Sequence, residues 1–514
     1  MAGAHIALVA SVAILHASIA TAQNAQHLGT VHFETSCSPS VTTQFDRAVA
    51  LLHSFEFGAS IRAFNDVLAV DSTCAMAYWG IALSRWTNPM VPGDRPVAQL
   101  ELGRQAVSSA SRLAAGRPER ERSYIGAVGQ LYDDFEHRDQ RTRVAAYERA
   151  MGDLVARQPA DTEAKIFHAL SLVASASPAD KTYANQLKAG SILEELWAKQ
   201  PNHPGLAHYI IHSYDYPPLA SRARAAALQY SHIAPDAAHA LHMPSHTFTR
   251  LGMWKESVRA NTRSRDVALR ESSIAEALHA SDYAMYANLQ LGRYVDAKAI
   301  LDGLPGLAAR FDPTAVTGAA PGSAGVFALA AIPARWALER RAWAEAASLE
   351  PHPSAFPYAD AMTYFARALG AAHTKDLATA HASIDSLAAI RQRLSAKGES
   401  YWAEQVSIQH LGASAWVDLA EHRETDALSK MREAAAREDA TEKSAVTPGP
   451  LAPSRELLGD MLMELGRPKE ARAEYRETLK GEPNRRHASR ALGVRTGLRR
   501  VQRNAGRAHR TPVV

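Results

Sequence analysis

The sequence has few cysteines and none of the common catalytic motifs. Two cysteines among 514 residues are too few for a disulfide-scaffold protein or a cysteine-rich zinc module. The patterns G-x-x-x-x-G-K-[ST], H-E-x-x-H, C-x-x-C and G-x-S-x-G do not occur. These patterns mark phosphate-binding loops, zinc-protease helices, redox pairs and serine-hydrolase turns. Nucleotide-driven chemistry and the common serine-hydrolase and zinc-protease mechanisms therefore lose support.

The chain also has little net charge, and its basic excess lies at the C-terminus. Lys and Arg number 57 and Asp and Glu number 53, which gives a net charge of +4. Residues 485–514 contain nine arginines and no lysine or acid, so the rest of the chain carries 48 minus 53, or −5. We predict that this tail is poorly ordered. It has no aromatic residue, so the sequence does not favour nucleic acid as a partner.

The longest apolar run is at the N-terminus. Residues 6–19 are apolar and Ala-rich, and Ala20-Thr21-Ala22 follows them. An apolar segment before an A-x-A site is typical of a secretory signal, although a buried helix is the alternative because no Lys or Arg precedes the run. No later stretch approaches the about 18–20 apolar residues of a membrane span. We predict a signal peptide at residues 1–22 and a periplasmic or secreted mature protein without a membrane span.

Export changes the interpretation of the two cysteines. An oxidising compartment would let Cys37 and Cys74 form a disulfide, whereas two small buried thiols are the alternative. A disulfide would stabilise the fold by restricting the unfolded chain between these two residues. Given the predicted signal peptide, we expect Cys37 and Cys74 to be bonded.

A short phrase recurs where we predict turns between helices. It occurs as LGMWKES at residues 251–257, LGRYVDA at 291–297 and LGRPKEA at 465–471, with weaker copies at 341–346 and 421–427. The glycine ends one helix in a conformation that disfavours other residues, and the small residue lets the next helix approach. The surrounding sequence has the apolar spacing of helices. We predict an all-α protein in which helix pairs over residues 23–484 form an α-solenoid.

These phrases resemble the tetratricopeptide repeat, and the resemblance extends, with degenerate copies, over residues 41–483. The whole chain also resembles a family of large secreted bacterial tetratricopeptide-repeat proteins. The segments that carry this second resemblance are residues 36–39, 51–55, 74–80, 208–212, 242–246, 438–443 and 446–450. The resemblance implies a superhelix of helix pairs and no general biochemical activity.

Histidines are concentrated near the middle of the chain. Seven of the 22 lie between residues 203 and 246, where an even spread would place about two: His203, His208, His212, His232, His239, His242 and His246. His208 and His212 stand four apart in an apolar stretch, which puts both rings on one helix face about 6 Å apart at Cβ. His242 and His246 are also four apart, and Pro244 between them suits the first turn of a helix.

Neighbouring helices of a repeat array stack side by side, so we expect the two pairs to converge. Imidazole ligands suit Zn, Cu or Fe. Asp215 or Asp282 is a candidate to orient a ring or to act as a catalytic base at a metal-bound water. The alternative is structural, with His and Tyr side chains that hydrogen-bond the next repeat. The predicted metal ligands are His208, His212, His242, His246 and His279.

A charged segment precedes the last recurring phrase. Residues 438–443 are mostly charged, and a rigid Pro-Gly-Pro turn follows at 448–450. This segment is either a long connection with solvated charges or a loop that lies across the groove of the superhelix. In the second case the side chains facing inward would be among Glu438, Asp439, Glu442 and Lys443.

Two functions fit these observations. The first is an exported repeat protein that binds a protein, peptide or small-molecule ligand on its inner surface and has a histidine metal site. The second is a metal-dependent enzyme whose centre is formed by the two His-x-x-x-His pairs.

Overall fold

The computed structural model describes residues 26–91, 94–444 and 446–493. Within these ranges the protein is all-helical and has no strand, which confirms the predicted fold class. The predicted signal peptide lies outside the described residues. The helices α1 to α24 are, in chain order, Thr42–His53, Phe57–Val70, Ala75–Trp86, Val97–Leu113, Glu119–Gln130, Gln140–Arg157, Thr162–Ser175, Ala184–Lys199, Pro204–Ser213, Arg224–Ile233, Ala238–His242, Pro244–Arg250, Trp254–Arg270, Ile274–Leu291, Tyr294–Ala308, Gly322–Glu339, Trp343–Ala347, Pro357–Thr374, Leu377–Ala396, Ser400–Ala420, Glu424–Asp439, Ser454–Glu464, Pro468–Gly481 and Arg486–Ala491.

Helices that are adjacent in the chain pack against each other along most of the molecule. Many helices also contact the next helix but one, as α14 contacts α16 and α18 contacts α20. This pattern of local packing is that of stacked helix pairs, in which each unit buries its apolar face against its neighbours. None of the helices among the described residues is long and apolar enough to cross a membrane.

The recurring phrase ends helices through a left-handed residue. Gly252, Gly292 and Gly466 have φ angles of 63°, 70° and 69°, a conformation that glycine adopts without strain. The weaker copies have a non-glycine residue in the same conformation, with φ of 56° at Arg341 and 65° at His422. The turn geometry is therefore common to all five copies, whichever residue occupies the position.

The segment before α1 is tied to the start of α3 by a disulfide between Cys37 and Cys74. The backbone N–H of Ser38 also donates to Asp71 at 2.8 Å, close to the same junction. The predicted bond between the two cysteines is thus present, and the described residues contain no free cysteine.

The helical array continues past the predicted boundary at residue 484. Arg485 is 1% exposed, and its guanidinium lies 2.9 Å from Glu456 and 2.8 Å from Glu339. The following helix, α24, contacts α14. The sequence-based boundary failed here because two buried acids, distant in the chain, neutralise this arginine. Residues 494–514, the rest of the predicted tail, lie outside the described residues.

The C-terminal part of the array returns to the middle of the chain. The Trp254 ring N–H donates to the carbonyl of Asn484 at 3.1 Å, and the Tyr286 hydroxyl donates to Glu482 at 2.9 Å. The Tyr283 hydroxyl donates to the carbonyl of Thr447 at 3.0 Å. The Thr447 contact holds the segment between α21 and α22 against α14, and the other two contacts hold the segment between α23 and α24 against α13 and α14.

We predict that Gly466→Ala lowers the free energy of unfolding by about 1–2 kcal/mol, because an alanine is strained in the left-handed region. A Cβ at Gly466 would meet no atom within 4 Å, so the effect isolates backbone strain. The matched control is Gly303→Ala in α15, where a Cβ also meets nothing and the φ angle is not positive. In urea unfolding, this control should have a free energy of unfolding about 0.5–1 kcal/mol higher than that of the unsubstituted protein. Equal effects of the two substitutions would contradict the prediction.

Candidate metal centre

Six buried histidine rings from four helices meet in the interior of the protein. They form two groups, and within each group one ring nitrogen per residue lies within 4.8 Å of those of the other two. The first histidine group is His208, His212 and His239, and the second histidine group is His242, His246 and His279. Each of the six residues is at most 6% exposed.

Helix geometry explains how the rings converge. His208 and His212 lie one turn apart on α9, as predicted. His242 ends α11, and Pro244 begins α12, so His246 projects from the first turn of that helix. Helix α14 packs beside these segments and supplies His279.

The hydrogen bonds of His242 define which of its nitrogens carries the proton. The side-chain amide N–H of Asn261 donates to the carbonyl of Ser257 at 2.7 Å, which leaves its oxygen facing His242. Nδ1 of His242 lies 2.7 Å from that oxygen and must donate to it. In the neutral ring, Nε2 of His242 then carries a lone pair.

His246 has the same arrangement with a different partner. Its Nδ1 lies 2.9 Å from Oδ2 of Asp215, and since a carboxylate can only accept, Nδ1 carries the proton. Nε2 of His246 therefore also carries a lone pair in the neutral ring. The two Nε2 atoms are 3.1 Å apart. Two buried lone pairs at this distance repel each other unless a proton or a metal ion lies between them.

The interior disfavours the proton. Burial lowers the pKa of His242 well below its usual value, and the neighbouring His279 and His246 lower it further. Burial also lowers the pKa of His246 to about 4, although Asp215 opposes this effect, and that of His279 to about 3. These rings are neutral near pH 7, so the opposed lone pairs are available to a metal.

Asp215 is held as a charged carboxylate beside the second histidine group. Burial alone would raise its pKa, but Lys443 and Arg250 hold it well below its usual value. The Arg250 guanidinium donates to Oδ1 at 2.9 Å, and the Lys443 ammonium lies 3.5 Å from Oδ2. Burial lowers the pKa of Lys443 to about 8. Asp215 thus orients His246 through Nδ1, one of the roles for which the sequence made it a candidate.

Asp282 pairs with a buried arginine and has no hydrogen bond to a histidine among the described residues. Its Oδ1 accepts from Nε of Arg335 at 2.7 Å, and both side chains are almost fully buried. Arg335 also donates to the carbonyls of Pro450 and Gly449 at 3.1 and 2.9 Å. Among the described residues, Asp282 therefore pairs with an arginine that holds the segment before α22, and it does not orient a ring as the sequence suggested.

Two of the seven clustered histidines lie outside both groups. His232 is exposed on α10. His203 instead joins Glu163 and His53, whose Nε2 atoms lie 2.9 and 3.0 Å from the carboxylate of Glu163. Both rings donate from Nε2 to the carboxylate, so these nitrogens carry a proton and have no lone pair to offer a metal.

His239 belongs to the histidine cluster of the sequence but is not among the predicted metal ligands. His239, His242 and His246 are spaced by three and four residues, which is the spacing of one helix face. That spacing was the available signal. The Nδ1 partner Asn261 lies 19 residues from His242 and had no comparable signal.

One small cavity lies among the histidines, and a larger cavity lies beside Lys443 and Arg250. The small one of about 10 Å³, space for roughly one water molecule, is lined by His212 and His239 of the first group and by His246 and His279 of the second. The larger one of about 470 Å³, the ligand cavity, has the size of a small-molecule site. Its lining includes the aromatic residues Tyr183, Phe327, Tyr358, Tyr401 and Trp402.

The ligand cavity reaches the second histidine group through charged side chains. Lys443 and Arg250 line the cavity and also contact Asp215, which in turn holds His246. Glu438, Asp439 and Glu442 line it as well. The charged segment therefore forms part of the cavity wall, while Asp439 stays exposed and pairs with Arg455.

No family model and no curated protein matches the chain. Its helical architecture is similar to that of the human IFIT1 dimer with m7Gppp-AAAA, at 10% identity over 79% of this chain and 90% of that one, with a TM-score of 0.35. The APC/C hetero-tetramer Cut9-Hcn1 is similar at 13% identity over 90% of this chain and 77% of that one, with a TM-score of 0.36. Yeast Tom70 is similar at 12% identity over 92% of this chain and 99% of that one, with a TM-score of 0.32. Likenesses this distant carry no argument about function.

We predict that the metal-free protein loses stability as the pH falls below about 6.5, the usual pKa of histidine. The unfolded chain takes up protons there, whereas folded His246 and His279, with pKa values of about 4 and 3, do not. Each such ring lowers the free energy of unfolding by about 1.4 kcal/mol for every pH unit below about 6.5, which amounts to about 2 kcal/mol at pH 5. Urea unfolding of chelator-treated protein at pH 7 and pH 5 measures the loss.

In the His246→Gln variant, the free energy of unfolding should depend less on pH. In the variant of the exposed residue, His232→Gln, it should depend on pH as in the unsubstituted protein. An unchanged pH dependence in His246→Gln would contradict the assignment of a depressed pKa to this ring.

Proposed function

We propose that this protein binds a transition metal ion, Zn, Cu or Fe, through His242, His246 and His279, and that it is a metal-dependent enzyme acting on a small molecule held in the ligand cavity. The observation that carries the proposal is the pair of Nε2 lone pairs opposed at 3.1 Å in a buried, neutral site. Imidazole nitrogens suit these metals, whereas Ca and Mg prefer oxygen.

The surroundings of the rings fit a metal site. Ligating histidines usually donate their other N–H to a carboxylate or carbonyl, which fixes ring orientation. His246 donates to Asp215 and His242 to the oxygen of Asn261. The rings are therefore held in place by partners on other elements before any ion binds.

The number of ligands supports a catalytic rather than a purely structural site. Structural zinc sites have four protein ligands, whereas catalytic sites have three and keep a position for water or substrate. The second histidine group has three rings, and two of them line the cavity of about 10 Å³. A metal with such an open position would supply Lewis acidity or a bound nucleophile, and copper or iron would add redox capacity.

Lys443 and Arg250 would then contact the substrate in the ligand cavity. Both line the ligand cavity, and Lys443 also lies 3.5 Å from the Tyr283 hydroxyl. Their positive charges suit an anionic or electron-rich group at the end of the cavity nearest Asp215. Asp215 itself holds His246 and is a positioning residue in this scheme.

The second candidate is a binding protein that takes a small molecule or peptide on its inner surface without metal chemistry. The aromatic lining of the ligand cavity favours this function, and Tyr358 and Trp402 stack there with ring centroids 3.9 Å apart. Either function is proposed for an exported protein, on the basis of the predicted signal peptide and the disulfide.

Metal analysis of protein purified without a His tag or chelator separates the two candidates. We expect the unsubstituted protein to contain at least one equivalent of Zn, Cu or Fe. We expect the His242→Ala and His246→Ala variants each to contain one equivalent fewer. Chelation should lower the melting temperature, because an ion that binds the folded state stabilises it.

Two control variants should keep their metal. His232→Ala removes an exposed ring of the same segment. His373→Ala removes a half-buried ring that stacks against Trp343 and Trp416, and its buried Nε2 has no hydrogen-bonding partner in the described part of the chain. Absence of metal together with an unchanged melting temperature after chelation would remove the enzyme proposal and leave the binding protein.

A further inference from the structure

We infer that the centre is dinuclear, with a second metal ion held by His208, His212 and His239 beside the ion of the second histidine group. This inference rests on the proposed function, because it adds an ion to the same site. It is carried by the hydrogen bonds of the first histidine group and by its distance from the second.

The protonated nitrogens of the first histidine group point away from its centre. Nδ1 of His208 lies 2.6 Å from the backbone carbonyl of His53, which can only accept, so Nδ1 donates. Nδ1 of His239 lies 3.2 Å from a carboxylate oxygen of Glu276 and donates to it. The Nε2 atoms of both rings therefore carry lone pairs when the rings are neutral.

These lone pairs have no partner. Nε2 of His208, His212 and His239 is buried, and no hydrogen bond reaches any of the three within the described ranges. An unsatisfied buried polar atom is costly, and three from neighbouring rings are unusual in a native interior. One ring nitrogen of each residue lies within 4.8 Å of those of the other two, which is close enough for a single cation to bind all three rings.

The two groups are built in the same way. In each, one ring donates to a buried carboxylate, His239 to Glu276 and His246 to Asp215. In each, a second ring donates to a neutral oxygen, that of the His53 carbonyl or the Asn261 amide. Glu276 adds negative charge beside the first histidine group, whereas the charge of Asp215 is already paired with Arg250 and Lys443.

The groups are also in contact. The rings of His212 and His246 have centroids 6.3 Å apart, and those of His239 and His242 are 5.8 Å apart. The cavity of about 10 Å³ is lined by two rings from each group. It lies where a water molecule or another small ligand would bridge two ions, as in sites where paired metals clamp one group.

Zinc titration of chelator-stripped protein, with the bound ion counted after gel filtration, tests the inference. We expect two equivalents of Zn²⁺ in the unsubstituted protein and one in His208→Ala, His239→Gln and His242→Ala. Glutamine at position 239 keeps an N–H for Glu276, so this variant guards against loss of folding. Far-UV circular dichroism and melting of each variant confirm that it is folded.

The chain provides its own negative control. His53, Glu163 and His203 also bring ligand atoms within 4.8 Å of one another, but both rings donate Nε2–H to the carboxylate. His203→Gln should therefore retain two equivalents.

The remaining outcomes overturn the inference in distinguishable ways. One equivalent that is lost in His242→Ala but kept in His208→Ala would leave the proposed function with a single ion. One equivalent that survives both of these substitutions and is lost in His212→Ala would indicate a single site formed by the four rings around the small cavity. Zero equivalents in the unsubstituted protein would remove the proposed function itself.

Discussion

The contact between His242 and His246 sets a condition that the rest of the centre must meet. Each ring gives its N–H to a fixed oxygen on another element, so the two Nε2 atoms face each other as acceptors at 3.1 Å. In water such rings would turn or take up a proton. Here they are at most 2% exposed, and burial holds their pKa values down. A metal ion between the two nitrogens would satisfy both without adding a proton.

The helical array makes this arrangement rigid. The histidines of the two groups lie on α9, α11, α12 and α14, and the segment between α21 and α22 returns to contact α14. Arg485, Arg335 and Lys443 anchor that return through buried acids and carbonyl oxygens on helices and segments distant in the chain. A closely packed interior of this kind resists rearrangement of the rings.

The parts that the sequence predicted are those with local causes. Helix ends followed from the left-handed turn residues, and the pairs His208/His212 and His242/His246 followed from a spacing of four residues. The partners of these rings could not be predicted in this way. The carbonyl of His53 lies 155 residues from His208, and Arg335 lies 53 residues from Asp282. Such contacts depend on how distant helices pack, and one of them pairs Asp282 with Arg335 instead of a histidine.

The most direct measurement is an anomalous difference map from crystals of tag-free protein grown without chelator, with data collected above and below the absorption edges of zinc, copper and iron. The account predicts a peak between Nε2 of His242 and His246, at about 2.0–2.1 Å from each nitrogen if the ion is zinc. A map without a peak, in which one of the two rings is turned over and donates a hydrogen bond to the other, would contradict it.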